Sequence, residues 1–441
     1  MIDLERLYQA SSAEDVRVAI EAAVREGRLH PGDRIPSVRS AARGSGLSPA
    51  TVAAAYRELG RRGVTMAAGG RGGTVIAPHP PLGGHTGPRP RRGPRDLASG
   101  HPDPALLPEW GDLLGALPRR SLQYGAPTLD PDLADLARRR LRADGVDATH
   151  LTVVSGAMDG VERVLAARLR PGDPVAVEDP CYHGSLDLLR AMSFRLLPVT
   201  VDARGMLPSA LEQALARGAR AVLITPRSQN PFGSSLDGAR RAELRAALDA
   251  HPETLVIEDD HAEAVGGGSV IGVAPPGWPS WAVIRSVSKS LGPDLRVAAV
   301  CGDATTVARV EGRMAVGPGW VSHLLQRLVA GLWSRPGIDA VLAGAADVYA
   351  RRRRALIGAL ERRGVTAYGR TGFNVWVPVP EETAAFVALW EAGYDVQAGE
   401  RFRLLAPPAI RITCARLDVS EADAVAEAVA RTAEYAGRVA Y

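Results

Sequence analysis

Five short apolar runs set the strongest limit on what this chain can become. Val175-Ala176-Val177-Glu178, Ala221-Val222-Leu223-Ile224-Thr225, Leu255-Val256-Ile257-Glu258, Trp281-Ala282-Val283-Ile284-Arg285 and Val297-Ala298-Ala299-Val300-Cys301 are continuous rather than alternating. Such runs are strands buried on both faces, and the helical stretches between them predict an α/β fold with a mostly parallel sheet. Sheets of this class present ligand groups just beyond the carboxyl ends of their strands. Polar residues punctuate those ends here: Asp179, Asn230, Asp259 and Lys289.

Lys289 is the only lysine in the chain, so 52 of its 53 basic side chains are arginine. Against a background in which arginine replaces lysine wherever it serves, the survivor marks a position that needs an amine. A guanidinium stays protonated in any protein, whereas an ε-amine can lose its proton and attack a carbonyl, as a Schiff base requires. A Schiff-base cofactor also needs a phosphate anchor, an aromatic face, an acid for a pyridinium proton and a donor to a phenolic oxygen. Each has a candidate. Ser155-Gly156-Ala157-Met158 follows the run Leu151–Val154 and opens a helix, so its N–H groups suit phosphate. Tyr182 offers a ring, Asn230 an amide and Asp259 a carboxylate; Ser286 and Ser288 flank the lysine, and Arg296 adds a charged phosphate contact. Taken singly, Asp259 suits an acidic turn and Tyr182 core filling; their order around one lysine is what points to a cofactor.

At 441 residues the chain predicts two or three domains, at about 150 residues each. No run reaches the roughly 18 apolar residues of a membrane span, and Met1–Tyr8 carries Asp3, Glu5 and Arg6, so a cytoplasmic, membrane-free protein is expected. Cys181, Cys301 and Cys414 lie far apart without a C-x-x-C pair, which predicts buried thiols and neither disulfide framework nor metal site. Charge is uneven. Residues 1–77 hold eleven arginines against eight carboxylates and 78–96 four against one, so the first 96 residues carry +6 and the remainder −2 of the net +4. A basic head on a near-neutral body suits a polyanion partner.

In that head, Val16, Ile20, Ala23 and Val24 share a helix face over 14–27, with Ser11 and Glu14 in the spacing of a capping box and Gly27 as the stop. A short helix follows from Ser37. A third runs from Ser48 and Pro49 to about Arg62 with Val52, Ala55, Tyr56 and Leu59 inward, and residues 69–76 read as the tip and return strand of a hairpin. Residues 78–96, rich in proline and glycine, read as a linker without secondary structure, with His79 and His85 solvated and its arginines adding phosphate attraction.

These elements resemble the winged helix-turn-helix head of GntR-type regulators. The residues that carry the resemblance are Ile35-Pro36-Ser37-Val38-Arg39, Leu47-Ser48-Pro49-Ala50-Thr51-Val52, Ala55-Tyr56 with Leu59, and the Gly-Arg-Gly around Arg71. It implies contact with double-stranded DNA through Ser37, Arg39, Ser48, Thr51 and Arg71; Pro49 stands where the family often has arginine. Residues 98–436 resemble fold-type I, pyridoxal-phosphate enzymes of the class I/II aminotransferase kind. That implies pyridoxal 5'-phosphate as an aldimine on Lys289, Asp259 on the pyridine nitrogen, and Asn230 and His261 on the phenolic oxygen. Tyr182 would stack on the ring, and Ser155, Gly156, Ala157, Ser286, Ser288 and Arg296 would surround the phosphate. Tyr124 would reach the phosphate of a neighbouring subunit, and Arg411 would grip an effector carboxylate. His261 replaces the usual tyrosine, so this donor is expected to titrate near neutrality. Leu129 and Ala134 depart from the usual glycine and arginine, and Ala262 and Ala264 from common acidic residues.

Head, linker and body together resemble the MocR subgroup of GntR regulators. The domains expected are a winged head over 1–77, the linker over 78–96, a large cofactor domain over 97–336 and a smaller α+β domain over 337–441, in a head-to-tail homodimer. In the smaller domain, Ile338–Arg363 reads as a long helix with Arg351–Arg354 on a solvated face. The implied function is a transcription regulator that senses an amino compound through Lys289. A working aminotransferase carrying a DNA-binding head, and a binder that has lost its cofactor, are the alternatives.

Overall fold

The computed structural model describes residues 5–25, 28–30, 32–61, 64–67, 73–76, 94–117, 122–268, 272–274 and 277–438. The chain divides into two compact units, residues 1–88 with 170–174 and 184–196, and the remainder. The wing tip with Arg71, and most of the linker with His79 and His85, lie outside the described residues.

The head comprises helices α1 (Glu5–Tyr8), α2 (Ala13–Arg25), α3 (Val38–Ser45) and α4 (Pro49–Arg61) and strands β1 (Thr65–Ala67) and β2 (Thr74–Ile76), which pair antiparallel with Thr65 opposite Ile76. Val16, Ile20, Ala23, Val52, Ala55, Tyr56 and Leu59 form its core, as the periodicity requires. The cap of α2 is displaced by one residue from expectation. Ser12 Oγ accepts the Asp15 N–H at 3.1 Å and the Asp15 carboxylate accepts the Ser11 N–H at 3.0 Å, while Glu14 instead pairs with Arg17. With Val16 and Ile20 both fully buried, Ser12 rather than Ser11 stands where the backbone enters the helix.

In the second unit, β3 (Arg95–Asp96) precedes β4 (His150–Val154), β5 (Pro174–Asp179), β6 (Arg195–Asp202), β7 (Gly205–Met206), β8 (Ala221–Ile224), β9 (Leu255–Asp260), β10 (Trp281–Ser286) and β11 (Ala298–Gly302). Eight of these form one sheet in the order β4-β11-β10-β9-β8-β5-β6-β7. β5, β8, β9 and β10 are parallel neighbours, whereas β11 runs against both β10 and β4. The fifth apolar run is therefore a return strand, and Lys289 lies in the connection that turns the chain back. Helices α5 (Pro131–Ala143), α6 (Ala157–Arg168), α8 (Pro208–Ala216), α9 (Gly238–Asp249), α10 (Ala304–Ala315) and α11 (His323–Ser334) accompany the sheet, while α7 (His183–Ala191) falls almost wholly in the segment 184–196 grouped with the first unit. α12 (Ile338–Glu361) leads to β12 (Asn374–Pro378), α13 (Glu382–Glu391), β13 (Tyr394–Asp395), β14 (Gln397–Ala398), β15 (Ala409–Thr413) and α14 (Ala422–Arg438), with β12, β15 and β14 in a second sheet. The three cysteines are buried. No helix of the described residues is long and apolar enough to cross a membrane.

Two expectations are corrected here. The end of the supposed linker is structured: β3 pairs with β13, and Arg95 is held by Glu421 at 3.1 Å and the Arg416 carbonyl rather than left for phosphate. The arginine run in α12 is not a solvated face. Arg353 is buried and donates to the Gly372 and Arg370 carbonyls, and Arg352 reaches Asp103 at 2.8 Å, because two of four consecutive helical positions necessarily turn toward the packed side.

Candidate cofactor and DNA-binding sites

Lys289 is half-buried just past β10, and its Nζ donates to the Gly100 carbonyl at 2.6 Å and stands 5.9 Å from the centre of the Phe373 ring. Burial, then the Arg411 guanidinium, pushes its pKa down to about 8. Asp259, near the end of the neighbouring β9, is buried, and its Oδ1 meets no donor among the described residues. Burial and then Asp260 push its carboxyl up to about 7. His261 does not titrate near neutrality as expected. Burial, then the Lys289 charge, depresses it to about 4 and leaves a neutral imidazole.

Asn230 follows β8, and its Oδ1 accepts Arg411 Nη1 at 3.1 Å, which leaves the amide NH2 as its donor. Arg411, on β15, is buried, also donates to the Ala98 carbonyl, and lies 4.8 Å from the Phe402 ring. Its Nε has no partner among the described residues. Tyr182 packs against His183, centroids 4.7 Å apart, and His183 against Phe402 at 5.3 Å.

The N-terminus of α6 supplies the anion cradle only in part. The Ser155 amide donates to Asp159 and the Gly156 amide to the Val154 carbonyl, so the amides left without an acceptor within the helix begin at Ala157. Gly156 has φ +95°, and a Cβ there would fall 2.6 Å from Arg296 Nη2. Only glycine lets that guanidinium, which donates to the Ser155 carbonyl at 2.8 Å, lie against the turn. Ser286 and Ser288 bond one another through their hydroxyls at 3.0 Å. Tyr124 is 91% exposed and meets the ring of Trp320 edge-on at 5.5 Å.

Sequence reasoning missed Ala98–Gly100, which receives both Lys289 and Arg411, and Phe402. The small-residue triplet carries no chemistry of its own to notice. Asp96 shapes it, accepting the Ala98 and Ser99 amides at 3.0 and 2.9 Å.

In the head, Ser37 caps α3 by accepting the Ser40 N–H at 3.2 Å, and Gly46 ends that helix with φ 73°. Ser48 accepts the Thr51 N–H at 3.1 Å and exchanges a 2.8 Å bond with its hydroxyl, as a cap before Pro49 should. Ser37, Arg39 and Ser48 are exposed.

Residues 12–75 match the family of bacterial regulatory proteins of the gntR type, and residues 106–429 match aminotransferase class I and II. The vitamin B6 salvage pathway transcriptional repressor PtsJ of Salmonella typhimurium is 39% identical over 95% of this chain and 98% of its own. The chain belongs to the MocR-type GntR regulators. This regulator is also 31% identical to the pyridoxine biosynthesis transcriptional regulator PdxR of Corynebacterium glutamicum, over 55% of this chain and 54% of that protein. Its body has the fold of the α-aminoadipate aminotransferase LysN of Thermus thermophilus, with TM-score 0.70 and 23% identity over 79% of this chain and 94% of that one.

Proposed function

We propose that this regulator holds pyridoxal 5'-phosphate on Lys289 and senses through it an amino compound bearing a carboxylate. The observation that carries this reading is Asp259: a buried carboxylate with one oxygen that meets no donor among the described residues, on the strand beside the one that delivers the only lysine. A pyridinium N–H answers that vacancy and reverses the cost of burying the charge. Bound there, the cofactor would supply an electrophilic carbon and an electron-withdrawing ring.

The residues divide the work. Lys289, with its lowered pKa, presents a neutral amine more readily than a surface lysine does. The Asn230 amide and a neutral His261 would donate to the phenolic oxygen, and Tyr182 would cover the ring. Ser155, Gly156, Ala157, Ser286, Ser288 and Arg296 would hold the phosphate, with Tyr124 arriving from a second subunit of a homodimer. Arg411 would take the carboxylate, giving up Asn230 to do so. We assign the winged head to 1–77, the linker to 78–94, the large and small parts of the body to 95–336 and 337–441, and DNA contact to Ser37, Arg39, Ser48, Thr51 and Arg71. An effector changes operator affinity only as far as it prefers one arrangement of heads. We place the protein in the cytoplasm.

Borohydride reduction of the pyridoxal-phosphate-treated protein, read by mass, should add one cofactor to the wild type and none to Lys289→Ala, while basal operator binding persists in both. An adduct retained by Lys289→Ala overturns the reading. Release of a keto acid from an amino acid by the wild type would favour the aminotransferase alternative.

A further inference from the structure

The same strand ends carry a second cluster on their other side. Adjacent strand residues face opposite ways, so Asp260 and Arg285, which are opposite one another in the β9–β10 register, turn away from Asp259 and Ser286. Asp260 is fully buried and accepts Arg227 Nε at 2.7 Å, Arg227 Nη2 at 2.9 Å and Arg285 Nε at 2.7 Å. Arg227 and Arg285 line a cavity of about 680 Å³, together with Arg139, Arg140, Glu263 and Trp333. That volume is in the range of small-molecule sites, roughly 300–1,000 Å³.

Two side chains that line this cavity each carry a buried donor with no acceptor among the described residues. Arg285 Nη2 and Trp333 Nε1 are both buried, and neither has a partner among the described residues. Buried N–H groups are nearly always satisfied, so a pair of them around one space asks for a missing acceptor. The carboxylates nearby are engaged. Glu263 takes the Ser290 hydroxyl, Asp144 lies 2.7 Å from Arg285 Nη1, and Asp339 is bonded by Arg140 at 2.6 Å. The Arg140 guanidinium lies 5.2 Å from the Trp333 ring centre, which fixes that ring beside the arginines. Arg139 is exposed at the rim and forms no ion pair among the described residues. Asp144, Glu263 and Asp339 all line the wall, but they are taken up by Arg285 Nη1, Ser290 and Arg140, so Arg285 Nη2 and Trp333 Nε1 are left without an acceptor among the described residues.

We propose that this rear cavity binds the oxyanion of a small molecule, a carboxylate or a phosphate, as a site separate from the one around Lys289. Trp333 Nε1 and Arg285 Nη2 donate to it, and Arg139 closes on it from the rim. The site adjoins the front one residue by residue: Asp260 follows Asp259, Ser290 follows Lys289, and Arg227 and Asn230 share one loop.

Calorimetric titration of the full chain with succinate and with inorganic phosphate tests this, run with and without added pyridoxal phosphate so that the outcome does not depend on the front site. Trp333→Phe keeps the ring and removes its N–H; Arg139→Gln changes only an exposed rim residue. At least one probe should bind the wild type, and each substitution should weaken it about tenfold, the effect of one charge-assisted hydrogen bond. The tighter probe names the group. Absence of heat from either probe at millimolar concentrations, or binding that neither substitution alters, overturns the proposal.

Discussion

Lys289 and Asp259 are both driven toward their neutral forms, and in each case burial is the first cause. For the amine this means reactivity at lower pH. Association of pyridoxal phosphate with the cofactor-free protein should quicken about tenfold per pH unit and level off near pH 8, as the unprotonated fraction does. Arg411 is the second cause, so Arg411→Met should move that levelling point upward, toward an ordinary lysine; a profile unmoved by the substitution would assign the whole depression to burial. For Asp259 the consequence is stability. Its carboxyl is raised from 3.8 to about 7 in the folded state, so the unfolded chain releases its proton first. The folded cofactor-free protein thus loses stability as pH rises from about 4 to 7. Asp259→Asn should raise its neutral-pH stability by about 4 kcal/mol at most, with no gain near pH 4, and thermal melts at the two pH values would show it.

At the level of strands and helices, the apolar runs marked β5, β8, β9, β10 and β11, because runs of four or five residues, mostly apolar and rich in β-branched side chains, are too short for a buried helix and suit strands covered on both faces. The direction of β11 was not legible, since an antiparallel return strand buried on both faces has the same composition as its parallel neighbours. The ion cluster at the end of β9 was equally hidden. Asp260 reads as the second half of an acidic dipeptide, and its partners Arg227 and Arg285 are 33 and 25 residues away in sequence. Only register brings them together. Asp260→Asn should destabilise the protein by about 3–5 kcal/mol, since it leaves two buried guanidiniums without their shared charge. Asp423, exposed between Arg362 and Arg363, makes the comparison, and Asp423→Asn should leave the denaturant midpoint where it was. Arg353 teaches the same lesson, for a run of four arginines gives no sign of which one the tertiary fold takes in.

Across the whole molecule, the site around Lys289 draws on chain from residue 98 to residue 411. The residues with a chemistry of their own stood out in sequence; the carbonyls of Ala98 and Gly100, which any residue can offer, did not. Asp179 shows how the distant pieces are tied. Its two carboxylate oxygens accept the Leu404, Leu405 and Ala406 amides at 2.8, 2.7 and 2.9 Å, which binds the end of β5 to the loop before β15. In the other unit, exposed Arg39 lies beside the Ser37 cap at the start of α3. Arg39→Ala should weaken operator binding by about 1–3 kcal/mol if it reads a base, and an unchanged footprint would remove it from the interface.

A chain with one lysine has a single side-chain target for acylating dyes and amine-directed cross-linkers. Because that target is half-buried against Gly100, its labelling stoichiometry, followed beside the α-amino group as an internal standard, is a direct gauge of who occupies the pocket. Few proteins of this length permit so simple a chemical census, and it would work in crude extract once the protein is captured.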